Sequence, residues 1–182
     1  MNTYIFIYDD FANFEVALSA LFMKAKGEII TVALEKREYV SEEGFKFLPH
    51  KILKNVKPEE VDLFIIPGGN YSSIYGNKKI YEFITKLYEL NKCIAAICSG
   101  TIQIAKAGIL DGKKFTTSMP IDEHSEFKKG IFLDENVVVD EKIITAKGNG
   151  YVDFAIEIGK VMDIYEDKDD LRETENYFKY FK

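Results

Sequence analysis

The chain has 182 residues, 47% of them hydrophobic and 30% charged, which suits one soluble domain, residues 1–182, large enough to bury a substantial core. A net charge of −6 and a pI near 5.1 argue against a nucleic-acid or anionic-membrane surface. The apolar opening Met1–Tyr8 is cut off by Asp9 and Asp10, too short for a signal peptide or a membrane span, so a reducing, cytoplasmic setting is expected.

Thr3–Tyr8 reads as a first strand buried on both faces. A helix follows from Asn13, as N-cap, to about Lys26, with Gly27 as its C′ residue. Glu28–Leu34 is a second strand, and Glu42–Gly44 closes a hairpin. Val61–Ile66 is another buried strand, stopped by Pro67-Gly68-Gly69-Asn70. Lys78–Leu90 has a helical period. Cys93–Ile97 is a nearly uninterrupted apolar run, and Thr101–Ala107 is a helix with Gly108 past its end. Asn136–Asp140 and Lys142–Ala146 are late strands separated by a turn at Asp140–Glu141. Tyr151–Tyr165 is an amphipathic helix, and the acidic stretch Glu166–Asp170 starts one more.

This alternation predicts βαβ units around a mainly parallel sheet with helices on both faces. Ligands of such sheets bind beyond the carboxyl ends of the strands. Three segments converge there: Asp9–Glu15, Pro67–Asn70 and Cys98–Thr101.

Cys93 and Cys98 read as two separate thiols. Five residues of strand separate them by roughly 16 Å, whereas a disulfide needs Cα atoms within about 7 Å. Cys93 has the context of a core residue. Cys98 differs, because Ala96-Ile97-Cys98-Ser99-Gly100 links a strand to a helix with small residues two positions either side of the cysteine. A nucleophile elbow needs that arrangement, since larger side chains would collide in so tight a turn. The helix dipole would favour a thiolate there, so Cys98 is expected to alkylate well below pH 8.5 while Cys93 stays protected. The Ser99 N–H would face an oxyanion, and the glycine pair lets Gly69 present a second donor. Phe11, Glu15, Leu18 and Phe22 recur on one helical face, which places the Glu15 carboxyl at a rim or partly buried. Desolvation would raise its pKa and let it share a proton with the thiol.

Only two histidines exist, His50 and His124, and neither adjoins the elbow. His124 follows Thr116-Thr117 and is a candidate base. Asn70, beside the glycine pair, joins the candidate set. No cluster of ligand-type residues has metal spacing, and Asp9-Asp10-Phe11-Ala12-Asn13 lacks the glycines of a dinucleotide fingerprint, so no metal or cofactor is expected.

Phe14-Glu15, Pro67-Gly68-Gly69-Asn70, Ala95-Ala96-Ile97-Cys98-Ser99-Gly100, Ala107-Gly108-Ile109-Leu110-Asp111-Gly112, Thr116-Thr117 and Ile144-Thr145-Ala146-Lys147-Gly148 together resemble the ThiJ/PfpI superfamily. That group includes the Parkinsonism-associated deglycase, intracellular proteases/amidases and isocyanide hydratases. The resemblance implies a flavodoxin-like three-layer sandwich related to class I glutamine amidotransferases. It also implies Cys98 as nucleophile, Glu15 hydrogen-bonded to it, Gly69 and Ser99 as oxyanion donors, and a homodimer. Some members carry a histidine directly after the nucleophile or after the paired threonines. Here those places hold Ser99 and Ser118 or Met119, so a Cys–His–acid triad does not transfer. The expected function is a cysteine-dependent enzyme for a small electrophile (an aldehyde, ketoaldehyde, amide or isocyanide). The alternatives are a non-enzymatic redox or stress sensor that oxidises the same cysteine, and a small-molecule binder with an idle site.

Overall fold

Leu63–Ile66 and Cys93–Ile97 offer no polar alternate position, and both are strands buried along their whole length in the computed structural model, which describes residues 1–182. A strand buried on both faces needs cover on both, and helices supply it. In chain order the elements are β1 (Asn2–Phe6), α1 (Phe14–Lys24), β2 (Glu28–Ala33), β3 (Tyr39–Val40), β4 (Lys46–Phe47), β5 (Lys51–Ile52), β6 (Leu63–Ile66), α2 (Lys78–Glu89), β7 (Cys93–Ile97), α3 (Thr101–Lys106), β8 (Lys114–Phe115), β9 (Ile131–Phe132), β10 (Val137–Asp140), β11 (Ile143–Ala146), α4 (Tyr151–Val161) and α5 (Lys168–Phe178).

The main sheet runs β10-β11-β7-β6-β1-β2-β5 and is parallel except where β10 meets β11. This is the expected flavodoxin-like α/β architecture. Helix α1 packs on α4, and α2 on α3. Phe22 of α1 meets Phe178 of α5 edge-on at 5.0 Å. Leaving β1, the strand order proceeds one way to β2 and the other way to β6, so the carboxyl edge of β1 and β6 is the place where a doubly wound sheet opens a crevice. No helix is long and apolar enough to cross a membrane.

Several local expectations change. Asn13 holds the N-cap position of α1 with helical angles, but its side chain caps nothing. Instead the Glu43 carboxylate accepts from Phe14 N at 2.7 Å and Asn13 N at 3.3 Å, delivered by the β3–β4 hairpin whose turn is closed by Gly44 at φ +88°. Gly27 is not a left-handed C′ residue. A methyl group there would lie 1.9 Å from the Met1 carbonyl oxygen, so the position needs a missing side chain to let the N-terminal strand pass. Phe11 precedes α1 and bridges to Gly69, and the buried residues of the helix are Glu15, Val16, Ser19, Phe22 and Met23. The acidic start of α5 is as read, with Asp167 accepting from the Asp169 and Asp170 N–H groups.

Candidate active site

Strands β1, β6, β7 and β11 are parallel neighbours, so the loops leaving their carboxyl ends meet at one edge. Cys98 leaves β7 there with φ +56°, a left-handed conformation costing about 1–2 kcal/mol for a residue with a side chain. A single 3₁₀ turn, Cys98–Gly100, then leads into α3. The turn is held by its surroundings. The Thr117 hydroxyl donates to the Cys98 carbonyl at 2.9 Å. Gly100 lies so close to the end of β6 that a methyl group would sit 2.5 Å from the Ile66 and Pro67 carbonyl oxygens. Cys98 itself remains partly exposed.

Glu15 lies in the first turn of α1 and is only 3% exposed. The Gly68 N–H donates to its Oε2 at 2.7 Å. Two glycines wall the carboxyl and the thiol. A methyl on Gly68 would meet Glu15 Oε2 at 2.6 Å and Cys98 Cβ at 2.7 Å, and one on Gly148 would meet Glu15 Oε1 at 2.8 Å and Cys98 Sγ at 3.4 Å. Any side chain at either place would occupy the reactive pair's own space. Both glycines hold that position at ordinary φ, so close approach rather than backbone freedom selects them.

Burial pushes the Cys98 thiol up to about 11, and the Glu15 carboxylate adds to the rise. The Ser118 hydroxyl and the Ser99 N–H work the other way. Burial likewise raises Glu15, against hydrogen bonds from Gly68 and Cys98 that favour the carboxylate. Burial and the neighbouring Glu15 therefore both favour the protonated sulfur. Burial and the Glu15 charge oppose the thiolate expected from the helix dipole, and α3 has only six residues. Tyr8 closes the floor, its hydroxyl within 2.7 Å of the Gly68 carbonyl and 3.0 Å of the Pro67 carbonyl. Burial, then the Glu15 and Cys98 charges, raise its pKa and keep it neutral.

The structure places Ser99 and Gly69 together, the Ser99 hydroxyl donating to the Gly69 carbonyl at 2.7 Å. The Gly69 N–H makes no hydrogen bond within the chain. Asn70 turns away from this work, its Oδ1 capping the following turn by accepting from Ser72 N at 3.3 Å. His124 packs edge-on against Phe127 at 6.0 Å, and His50 Nδ1 accepts from the Thr31 N–H of β2 at 3.0 Å. Cys93 is buried at the opposite end of β7, beside a cavity of about 480 Å³ that Asp62 and Lys142 also line, and burial pushes its thiol up to about 12. No group of three or more His, Cys, Asp or Glu is placed to hold a metal.

Sequence reasoning missed Ser118, Gly148 and the role of Gly68. Gly148 N–H donates to Ser118 Oγ at 2.8 Å, which brings the loop after β8 onto the Cys98 sulfur. The only signal was order along the chain: Gly148 follows β11 as Gly68 follows β6, and both strands flank β7.

An elbow cysteine, a buried glutamate and a glycine turn at the switch edge of a flavodoxin-like sheet define a class of cysteine-centred α/β proteins. The DJ-1/PfpI family model matches residues 1–160, and the chain belongs to that family. It is 34% identical over 149 residues, 79% of this chain and 73% of the relative, to an uncharacterized protein of Methanocaldococcus jannaschii. It is 26% identical to a protein named as a deglycase from Thermococcus kodakarensis, covering 82% of this chain and 92% of that one. Among solved structures, a DJ-1 superfamily protein of Agrobacterium tumefaciens superposes with a TM-score of 0.88 at 21% identity, covering 100% of both chains.

Proposed function

We propose that the protein is a cysteine-dependent enzyme acting on a small electrophile such as an aldehyde, ketoaldehyde or amide. The observation that carries this reading is the contact of a strained, solvent-reachable Cys98 with a buried Glu15. A thiol that rests protonated needs a base in contact with it, and Glu15 supplies one. With a carbonyl substrate, Cys98 Sγ adds to the carbonyl carbon as its proton passes to the Glu15 carboxylate. The carbonyl π pair becomes an oxyanion facing the N–H groups of Gly69 and Ser99. Glu15 then returns the proton to that oxygen, which closes a neutral hemithioacetal. The deglycase name of the Thermococcus relative supports a carbonyl substrate.

The same reading includes a homodimer. Phe14, Phe45 and Leu48 are exposed apolar side chains on α1 and the hairpin that meets it, and sedimentation should show a species of twice the chain mass. Turnover of a small panel including methylglyoxal, by wild type and Cys98→Ala, tests the activity. Turnover by wild type alone is expected, and equal rates would overturn it.

A further inference from the structure

Ser118 is exposed to solvent, yet its oxygen is fixed. The Gly148 N–H donates to Ser118 Oγ at 2.8 Å, and a methyl group on Gly148 would lie 3.4 Å from Cys98 Sγ, so Gly148 brings the hydroxyl and the thiol to one point. The preceding residue is fixed as well, Thr117 donating to the Cys98 carbonyl at 2.9 Å. A hydroxyl has one proton to give and two lone pairs. One lone pair of Ser118 Oγ already receives the Gly148 N–H, which leaves the hydroxyl proton free for the Cys98 sulfur beside it, and the hydroxyl acts to lower the thiol's pKa.

We propose that Ser118 is a positioning residue for the nucleophile: its hydroxyl donates to Cys98 Sγ while Glu15 accepts the thiol proton. The S–H bond then breaks toward Glu15, and the electron pair left on sulfur is held by the Ser118 O–H and the Ser99 N–H. This rests on the reading of Cys98 as the reacting group. Because a serine hydroxyl does not titrate at working pH, it lends this hydrogen bond without adding an ionisation of its own. The reactivity of Cys98 then follows the ionisations of the Cys98–Glu15 pair, to which the hydroxyl adds none.

The test is the pH profile of iodoacetamide alkylation at Cys98, mapped by peptide in the full-length folded protein from about pH 6 to about pH 11, for wild type, Ser118→Ala and Ser118→Thr. Ser118→Ala should move the midpoint upward and slow alkylation at pH 8 by about tenfold, the loss of one hydrogen bond to a charged acceptor. Ser118→Thr keeps the hydroxyl and should stay within about twofold of wild type. In denaturant all three should react alike, which removes any effect on the cysteine's intrinsic chemistry. Superimposable profiles for wild type and Ser118→Ala, or a threonine variant as slow as alanine, would overturn the role of Ser118 while leaving Cys98 as nucleophile. A Cys98 that labels only after denaturation overturns both readings.

Discussion

Glu15 and Cys98, 83 positions apart in the chain by their numbers, are clamped between the same two glycines, Gly68 and Gly148. The carboxyl is fixed through Oε2 by the Gly68 N–H, and the thiol is fixed by the left-handed turn at the end of β7.

Glu15→Gln should separate two properties that usually fall together. The carboxylate raises the thiol, second only to burial, so removing its charge lowers the Cys98 pKa and should speed iodoacetamide alkylation at pH 8 by several-fold. Turnover should fall by about 10²–10⁴, because the amide cannot accept the thiol proton. Loss of both alkylation and turnover would contradict this assignment.

The pH dependence follows from the direction of the thiol shift. With a midpoint pushed up to about 11, the thiolate fraction grows about tenfold per pH unit below that value, so Cys98 alkylation should climb steadily across the alkaline range. Cys93, pushed up to about 12 and buried, should stay unlabelled in the folded chain until more alkaline pH or unfolding. Peptide mapping of both cysteines against pH reads the two curves separately. A plateau for Cys98 reached below pH 8.5 would show a resting thiolate instead.

Gly68→Ala should be damaging even though its φ is ordinary. The new methyl would meet Glu15 Oε2 at 2.6 Å and Cys98 Cβ at 2.7 Å, and both neighbours are held in place. Overpacking of this kind costs roughly 1–3 kcal/mol, and here the displaced atoms are the reacting ones. Thermal unfolding should show a modest loss of stability, and turnover should drop to background. Gly112→Ala, at an open turn with φ +72°, serves as the contrast: a stability cost with activity kept.

The charge around the site predicts a preference among electrophiles. Although burial opposes its ionisation, hydrogen bonds from Ser41 and from the Phe14 and Asn13 N–H groups hold Glu43 below the usual carboxylate range. Its charge, with that of Glu42, acts on Glu15. Folded protein should therefore favour iodoacetamide over the anion iodoacetate by about tenfold more than the denatured chain does. Glu43→Gln, which keeps an oxygen for the helix cap, should narrow that ratio. Identical ratios in folded and denatured protein would rule the field out.

Much of this was legible in the chain. Cys93–Ile97 is a strand over the residues its apolar run marks, and the glycine punctuation at Gly44 and Gly108 does take positive φ. The elbow was visible because small residues flank Cys98 at the positions where a tight turn needs them. The direction of the thiol shift was not visible. It depends on burial and on a carboxylate that only the folded chain brings near, and the local dipole argument had no access to either. Ser118 was hidden for a related reason: a loop hydroxyl carries no pattern, and its meaning comes from a backbone N–H thirty residues later. Gly27 misled because the same residue type serves a left-handed cap and a close backbone passage, and sequence does not distinguish the two.

The hairpin of β3 and β4 has a larger part than its two short strands suggest. Its Glu43 holds the first N–H groups of α1, and the Glu42 N–H donates to the Phe11 carbonyl. The helix that carries Glu15 is thus seated from outside, by a surface turn nearly thirty residues away. Substitutions in that turn reach the reactive carboxyl without touching it, and they leave the sheet and the elbow intact. A designer seeking to retune the cysteine therefore has a handle that lies outside the site.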